Sequence, residues 1–405
     1  MNIRKIQMYP FIEDLHTIHN SIVSQPPEGY VFIGAKTSNL YDFRKKISHS
    51  RTIRAIIRPL YHAFLKIFRT TKIIEATQKG DVMSEADLVF SGTLIYNSPK
   101  PWVLYMFDHP ACLAGNNYEL FIKNKPRIEK ALADDSCKKI ICTNEAPISF
   151  MKEHFPESIT DKVIVIRSGI EDIGKNRWKK GNKNGKNNKK LKLLFMGSIN
   201  NPLDFYVKGG LYVLETFERL SRKRKDIELI MRCQVSPELK KRYGGIKGLQ
   251  IIEEKVAFDK ILSIYQGADL LFAPGHNYSV TSFLEGMSFG LPIIALNTYA
   301  VEDFVKTGFN GIIVKRSELI EGYKNKGYPT FIRTDEFTQE IKTKKDSELI
   351  ERLVSAINSL ADNKKLRDNM SKNARKEFED KYTIPVRNQE FRKVFDEISS
   401  ELCRK

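Results

Sequence analysis

The stretch from Leu270 to Leu296 reads LLFAPGHNYSVTSFLEGMSFGLPIIAL. A short apolar run stops at Pro274 and Gly275. A helical run follows, with Phe283, Leu284 and Met287 on its apolar side, and breaks at Gly290. Pro292 then opens a second apolar run. Short runs that are apolar throughout are the pattern of parallel strands buried on both faces, and the helical segment between them is the crossover. The stretch therefore predicts an α/β layer built on a parallel sheet.

A single carboxylate, Glu285, stands in this segment. Ser282 and Glu285 have the S-x-x-E spacing of a capping box, which would place Ser282 at a helix N-cap and fold the carboxylate back on it. A second reading uses the same helix start differently. Amides at Thr281 and Ser282, at the positive end of the helix dipole, suit a phosphate, and Glu285 one turn further in can grip a ribose diol.

The same alternation runs outward in both directions. Strands are expected at 30–33, 87–91, 102–106, 139–143 and 163–167, and again at 191–196, 227–231, 249–252, 270–273, 292–296 and 311–314. Helices are expected at 127–133, 146–154, 210–222, 259–266 and 283–288, then in a tail over 347–379 and 386–402. Between the two series lies KNRWKKGNKNGKNNKK, from Lys175 to Lys190, which cannot bury apolar area and reads as a solvated linker. The expected organisation is an N-terminal domain over 1–172, a basic linker over 173–190, and a C-terminal domain over 191–385. A last helix over 386–405 would pack back toward the first domain. Two such α/β domains would place the C-terminal ends of their strands along a cleft.

With 405 residues, two domains are the natural partition. Lysine and arginine number 67 against 49 acidic residues, a net charge of +18 that points to an anionic partner. The five cysteines are scattered, odd in number and without a C-x-x-C pair, as in a reducing cytosol. No signal peptide and no apolar run of about 20 residues is seen, so the expectation is a cytoplasmic protein, soluble or peripheral on a membrane.

Three more segments carry candidate chemistry. FMGSINNPLDFYVKGG, from Phe195 to Gly210, runs from a strand end through Gly197 and Ser198 to Lys208, a point charge suited to a diphosphate. The loop reads equally as surface with one exposed lysine. VLYMFDHPACLAG, from Val103 to Gly115, places His109 just past a buried strand, as a proton relay, as a partner for a sugar hydroxyl, or as a structural histidine. From Tyr41 to Lys72 nine basic residues face one acid, Asp42, and apolar residues recur at helical spacing. That suits an anionic membrane surface, or equally a helix packed on its own sheet. His16 and His19 have helical metal-ligand spacing but no third ligand. No P-loop and no G-x-G-x-x-G occurs, which disfavours a P-loop nucleotidase and a dinucleotide dehydrogenase.

The run from Leu270 to Val314 resembles the donor-site region of family 4 retaining glycosyltransferases. It carries Pro274 after a strand, Glu285-Gly286, Gly290-Leu291-Pro292, Glu302 and Gly308-Phe309-Asn310-Gly311. Phe195-Met196-Gly197 and Lys208-Gly209 are similar to that family's diphosphate loop. The resemblance implies the GT-B fold, α/β with two Rossmann-like domains whose parallel sheets face across a cleft. It implies a nucleoside-diphosphate-sugar donor, no metal cofactor, and a glycan or lipid-linked acceptor near His109. Glu285 would hold the ribose, Lys208 the diphosphate, and the Thr281 and Ser282 amides the phosphates. At two places the chain departs from the pattern. Asn277 stands where the family has a second glutamate facing the donor sugar, and Ser198 stands where a basic residue often follows the loop glycine. A fold-retaining binder without transfer is the alternative. A nucleic-acid binder, motivated by charge alone, is disfavoured because the basic segments lack an aromatic platform.

Overall fold

The computed structural model describes residues 4–9, 17–34, 83–92, 94–96, 100–106, 109–114, 118–176, 190–199, 203–324, 328–329 and 335–404. The basic segment from Tyr41 to Lys72, His16, and residues 177–189 of the expected linker lie outside them. The chain forms two compact units. One is Met1–Gly169 together with Ile384–Lys405, and the other is Ile170–Thr383.

The first unit is built on a six-stranded sheet. Its strands are β1 (Arg4–Tyr9), β2 (Tyr30–Ile33), β3 (Leu88–Gly92), β4 (Trp102–Met106), β5 (Cys137–Cys142) and β6 (Val163–Val165). Their order is β2-β1-β3-β4-β5-β6, and every adjacent pair is parallel. Val89, Phe90 and all of β4 are excluded from solvent, as a sheet covered on both faces requires. The Ile384–Arg404 helix packs Phe391 and Phe395 against Phe90 and Tyr30. Burying two phenylalanines contributes about 3–6 kcal/mol in hydrophobic transfer. Arg387 on this helix is also buried, and its guanidinium donates to the Ser21 Oγ at 2.6 Å and to the Ser21 and Gln25 carbonyls at 3.2 and 3.0 Å. These carbonyls lie at the end of the Thr17–Ser24 helix, where the Ser21 carbonyl also accepts the Gln25 N–H at 3.2 Å and the Gln25 carbonyl also accepts from the Asn388 side chain at 3.0 Å.

The second unit repeats the layer with β7 (Leu191–Met196), β8 (Ile227–Arg232), β9 (Leu249–Ile252), β10 (Leu270–Ala273), β11 (Ile293–Leu296) and β12 (Gly311–Val314). The order is β12-β11-β10-β7-β8-β9, again parallel throughout. From β7 the chain builds the sheet outward through β8 and β9. It then returns to β7's other side and builds outward through β10, β11 and β12. The loops after β7 and β10 therefore diverge, leaving the crevice where ligands of doubly wound sheets bind.

Strand β1 is central in its sheet yet does not read as a strand. Arg4 and Lys5 open it, and Gln7 interrupts its apolar run. Gln7 is buried because its side-chain oxygen accepts the Met83 N–H at 3.0 Å. The expected helix from Arg127 begins instead at Tyr118, carrying Pro126 within it. The expected tail helix over 347–379 is two helices, Ser347–Asp362 and Lys364–Lys381. Asn363 caps the second by accepting the Leu366 N–H at 2.9 Å.

Candidate functional site

The site grows from three segments of the second unit. The first follows β7. Gly197 donates its N–H to the Arg232 carbonyl at 2.9 Å, and Ser198 accepts from the Gln234 N–H at 3.1 Å. A side chain at Gly197 would put its Cβ 2.5 Å from that of Cys233, so glycine is required for the loop to lie on the end of β8. Cys233 is buried, which pushes its thiol up to about 12 and keeps it unreactive.

The second segment is the turn at Lys208, which ends the Leu203–Val207 helix and starts the Gly210–Lys223 helix. Gly209 sits at φ +81°, and a Cβ there would fall 2.0 Å from the Pro274 carbonyl oxygen. Only glycine meets both demands. The contact, with a 2.7 Å hydrogen bond from the His276 N–H to the Val207 carbonyl, fastens the Lys208 turn to the loop after β10.

The third segment is that loop and its helix. The helix spans Val280–Ser288 with Ser279 at its N-cap. The capping box expected from Ser282 to Glu285 is therefore not formed. Ser282 lies in the first turn, its Oγ 3.1 Å from that of Ser279, and Glu285 lies in the second turn. Tertiary contact decides this. The helix starts as soon as the chain clears the Pro274 and Gly275 staple, three residues ahead of the local signal. The amides of Val280, Thr281 and Ser282 have no acceptor inside the helix, so its N-terminus keeps the donors and dipole end that favour an anion.

Glu285 is free of the cap and is held elsewhere. Its Oε2 accepts the Tyr265 hydroxyl at 2.6 Å, across from the Phe258–Gly267 helix. Tyr265 is fully buried and stacks on Phe289 with centroids 5.6 Å apart, so the hydroxyl has a fixed position. Burial raises the Glu285 carboxyl above its ordinary range. The Tyr265 hydrogen bond and the positive charges of Arg232 and Lys208 pull it the other way. Asn277, on the loop between, has a buried Oδ1 with no hydrogen-bond partner.

The structure thus brings Gly197, Ser198, Lys208, Asn277, Thr281, Ser282 and Glu285 to the strand ends at one switch point. His109 belongs to the other unit. It follows β4, is buried, and accepts the Ala111 N–H on Nδ1 at 3.1 Å, which leaves the proton of the neutral ring on Nε2. Burial, then the nearby His154, push its pKa down to about 3, so the imidazole is a neutral donor at physiological pH. Two residues of the site carry no sequence signal of their role. Tyr265 is 20 residues from the carboxylate it orients. Arg232 is the polar last residue of an otherwise largely apolar strand, a position that can be read only once the strand's end is known. Among the described residues no three His, Cys, Asp or Glu side chains gather as metal ligands, and no helix is long and apolar enough to cross a membrane.

The architecture is the GT-B fold. The chain matches HepE of Anabaena, solved in complex with UDP and glucose, at TM-score 0.54 and 12% identity over 98% of this chain and 100% of that one. It matches a glycosyltransferase from Rickettsia africae at TM-score 0.55 and 12% identity over 98% of both chains. A third match is WaaG, a glycosyltransferase involved in lipopolysaccharide biosynthesis, at TM-score 0.52 and 15% identity over 95% and 98%. In sequence, residues 190–326 match the family described as glycosyl transferases group 1, a span that holds every site segment of the second unit. No curated protein matches the chain by sequence.

Proposed function

We propose that the protein transfers a sugar from a nucleoside-diphosphate-sugar to an acceptor hydroxyl, with retention at the anomeric carbon. The observation that carries this is the half-buried Glu285 carboxyl, fixed by Tyr265 within the field of Lys208, beside an open helix N-terminus at a sheet switch point. In this reading Glu285 accepts hydrogen bonds from the ribose diol. Lys208 and the amides of Thr281 and Ser282 hold the phosphates, and Gly197 and Ser198 let the loop backbone approach them. The unpartnered Oδ1 of Asn277 accepts a hydroxyl of the donor sugar.

During transfer the bond from C1 to the phosphate oxygen breaks, leaving its electron pair on the diphosphate. The acceptor oxygen bonds C1 on the same face, and its proton passes to the departing diphosphate oxygen. Stabilising that charge is the main catalytic term, supplied by Lys208 and the helix amides, so the reading needs no metal. His109, buried and neutral, is the first unit's candidate residue for the acceptor. A glycan or lipid-linked acceptor, in cell-surface polysaccharide or glycolipid synthesis, fits the involvement of WaaG in lipopolysaccharide biosynthesis. The basic segment from Tyr41 to Lys72 would then meet an anionic membrane surface, placing the enzyme peripherally on the cytoplasmic side.

Calorimetry against UDP-, GDP- and ADP-sugars tests the donor site and identifies the nucleotide. Glu285→Ala and Lys208→Ala are each expected to lose about 10- to 100-fold in donor affinity or turnover, the value of one hydrogen bond to a charged group. Wild-type transfer in both variants would refute these roles.

A further inference from the structure

A nucleoside diphosphate brings at least two negative charges into the site, and the β7 loop meets them with Lys208 alone, since Ser198 is neutral. The neighbouring strand offers another cation. Arg232 is the last residue of β8, the register partner of Met196 at the end of β7, and its carbonyl holds the Gly197 N–H. Its backbone therefore lies beside the start of the Lys208 loop.

Strand alternation fixes the direction of its side chain. Ile227, Leu229 and Met231 enter the core cluster that includes Leu214 and Leu353, so Arg232 stands on the opposite face of the sheet. Leu271 of β10 also stands outside that cluster, between Leu270 and Phe272, and Gly286 of the Glu285 helix packs against it. Arg232 and Glu285 thus share a face. They form no ion pair, and Arg232 is seen there through its field on Glu285, on Tyr265 and, with Lys208, on Cys233.

The guanidinium is placed at a cost. Its Nε is buried and has no hydrogen-bond partner. Arg352 of this unit also leaves its Nε without a partner, but its terminal nitrogens pair with Asp346 and Glu348, and two other arginines are well supplied. Arg224 binds Asp226 and Asp362, and Arg375 binds Asp172 with both terminal nitrogens at 2.6 Å. A buried donor without an acceptor is unfavourable unless something else supplies the acceptor. A planar fork of N–H groups matches phosphate oxygens in pairs.

We propose that Arg232 is a second diphosphate-binding residue, delivering from β8 a positive charge that Ser198 does not provide. This rests on the donor-site reading above. The test is calorimetry of the full chain with UDP and UMP, and with the GDP/GMP and ADP/AMP pairs alongside, for the wild type, Arg232→Gln and Arg232→Lys. Arg232→Gln should weaken the bound diphosphate about 10- to 100-fold and change its monophosphate less than about 3-fold. Arg232→Lys should retain part of the difference. The monophosphate serves as folding control in the same samples. Equal losses for both nucleotides would overturn the assignment, because they would report a damaged site. An unchanged diphosphate affinity would overturn it too, with the donor-site reading intact. A wild type that binds none of the three diphosphates would overturn that reading, and this one with it.

Discussion

Replacing Tyr265 with Phe removes one hydroxyl and leaves the ring in place. It deprives the Glu285 carboxylate of a 2.6 Å hydrogen bond from a fully buried hydroxyl. A hydrogen bond to a charged group contributes about 1.5–3 kcal/mol, and a short one from a buried hydroxyl belongs in the upper half of that range. The cost must depend on pH. Burial already raises the carboxyl above its unfolded value, so the folded chain holds the proton more tightly, and stability falls as pH rises from the ordinary carboxylate range through the raised value. Without the tyrosine the carboxyl rises further. Tyr265→Phe should therefore cost about 2–3 kcal/mol near pH 8 and about 1 kcal/mol near pH 4, where the carboxyl is neutral in both variants. Glu285→Gln keeps an acceptor for the hydroxyl and discards the charge, so it should stabilise the protein near pH 8 while weakening the ligand. In the double variant the two effects should fall short of additivity by about 1–2 kcal/mol. The assay is urea unfolding of the full chain at both pH values. The transition belonging to the second unit is identified as the one that Leu271→Ala also shifts. A Tyr265→Phe penalty equal at the two pH values, or strict additivity, would show that the hydrogen bond does not act on an ionised carboxyl.

Two further outcomes follow from the geometry. Gly209→Ala meets a left-handed φ and a carbonyl oxygen 2.0 Å from the new Cβ, so about 2–4 kcal/mol of stability and the ligand affinity should go together. Retained donor binding in a fully folded variant would separate the Lys208 turn from the site. His109 and His276 are buried, with pKa values pushed from about 6.5 down to about 3, so they stay neutral in the folded chain while the unfolded chain takes up protons. Stability should fall by about 1.4 kcal/mol per pH unit for each as pH drops from about 6.5 toward 3. His109→Gln and His276→Gln should flatten that limb in urea midpoints, and an unchanged slope would contradict their neutrality.

Most strands could be read because parallel strands are apolar on both faces and short. Tyr30–Ile33, Trp102–Met106, Leu191–Met196, Leu249–Ile252 and Gly311–Val314 lie where the pattern places them. What the pattern hid was decided by contacts distant in sequence. Gln7 is tolerated in a central strand because Met83 supplies its partner, and no local signal announces that. Glu285 could be found, but its state could not. The S-x-x-E spacing is a local rule, and here the staple at Gly209 and Pro274 and the hydroxyl of Tyr265 override it. Lys208 reads in sequence as a charge suited to a diphosphate or equally as a surface lysine, and the phosphate-loop reading comes from the family resemblance, whereas the orientation of Arg232 needs the end of β8 and the parity of its side chains.

The return of the Ile384–Arg404 helix to the first unit has a bearing on synthesis. Residues 170–383 are continuous, so the second unit has all its parts once that span is made. The first unit does not. Until the last helix emerges, Phe90, Tyr30 and Tyr105 lack the aromatic cover of Phe391 and Phe395, and the carbonyls of Ser21 and Gln25 lack the guanidinium of Arg387. The half of the chain made first is thus finished last, and its incomplete apolar face is what a chaperone would meet during translation.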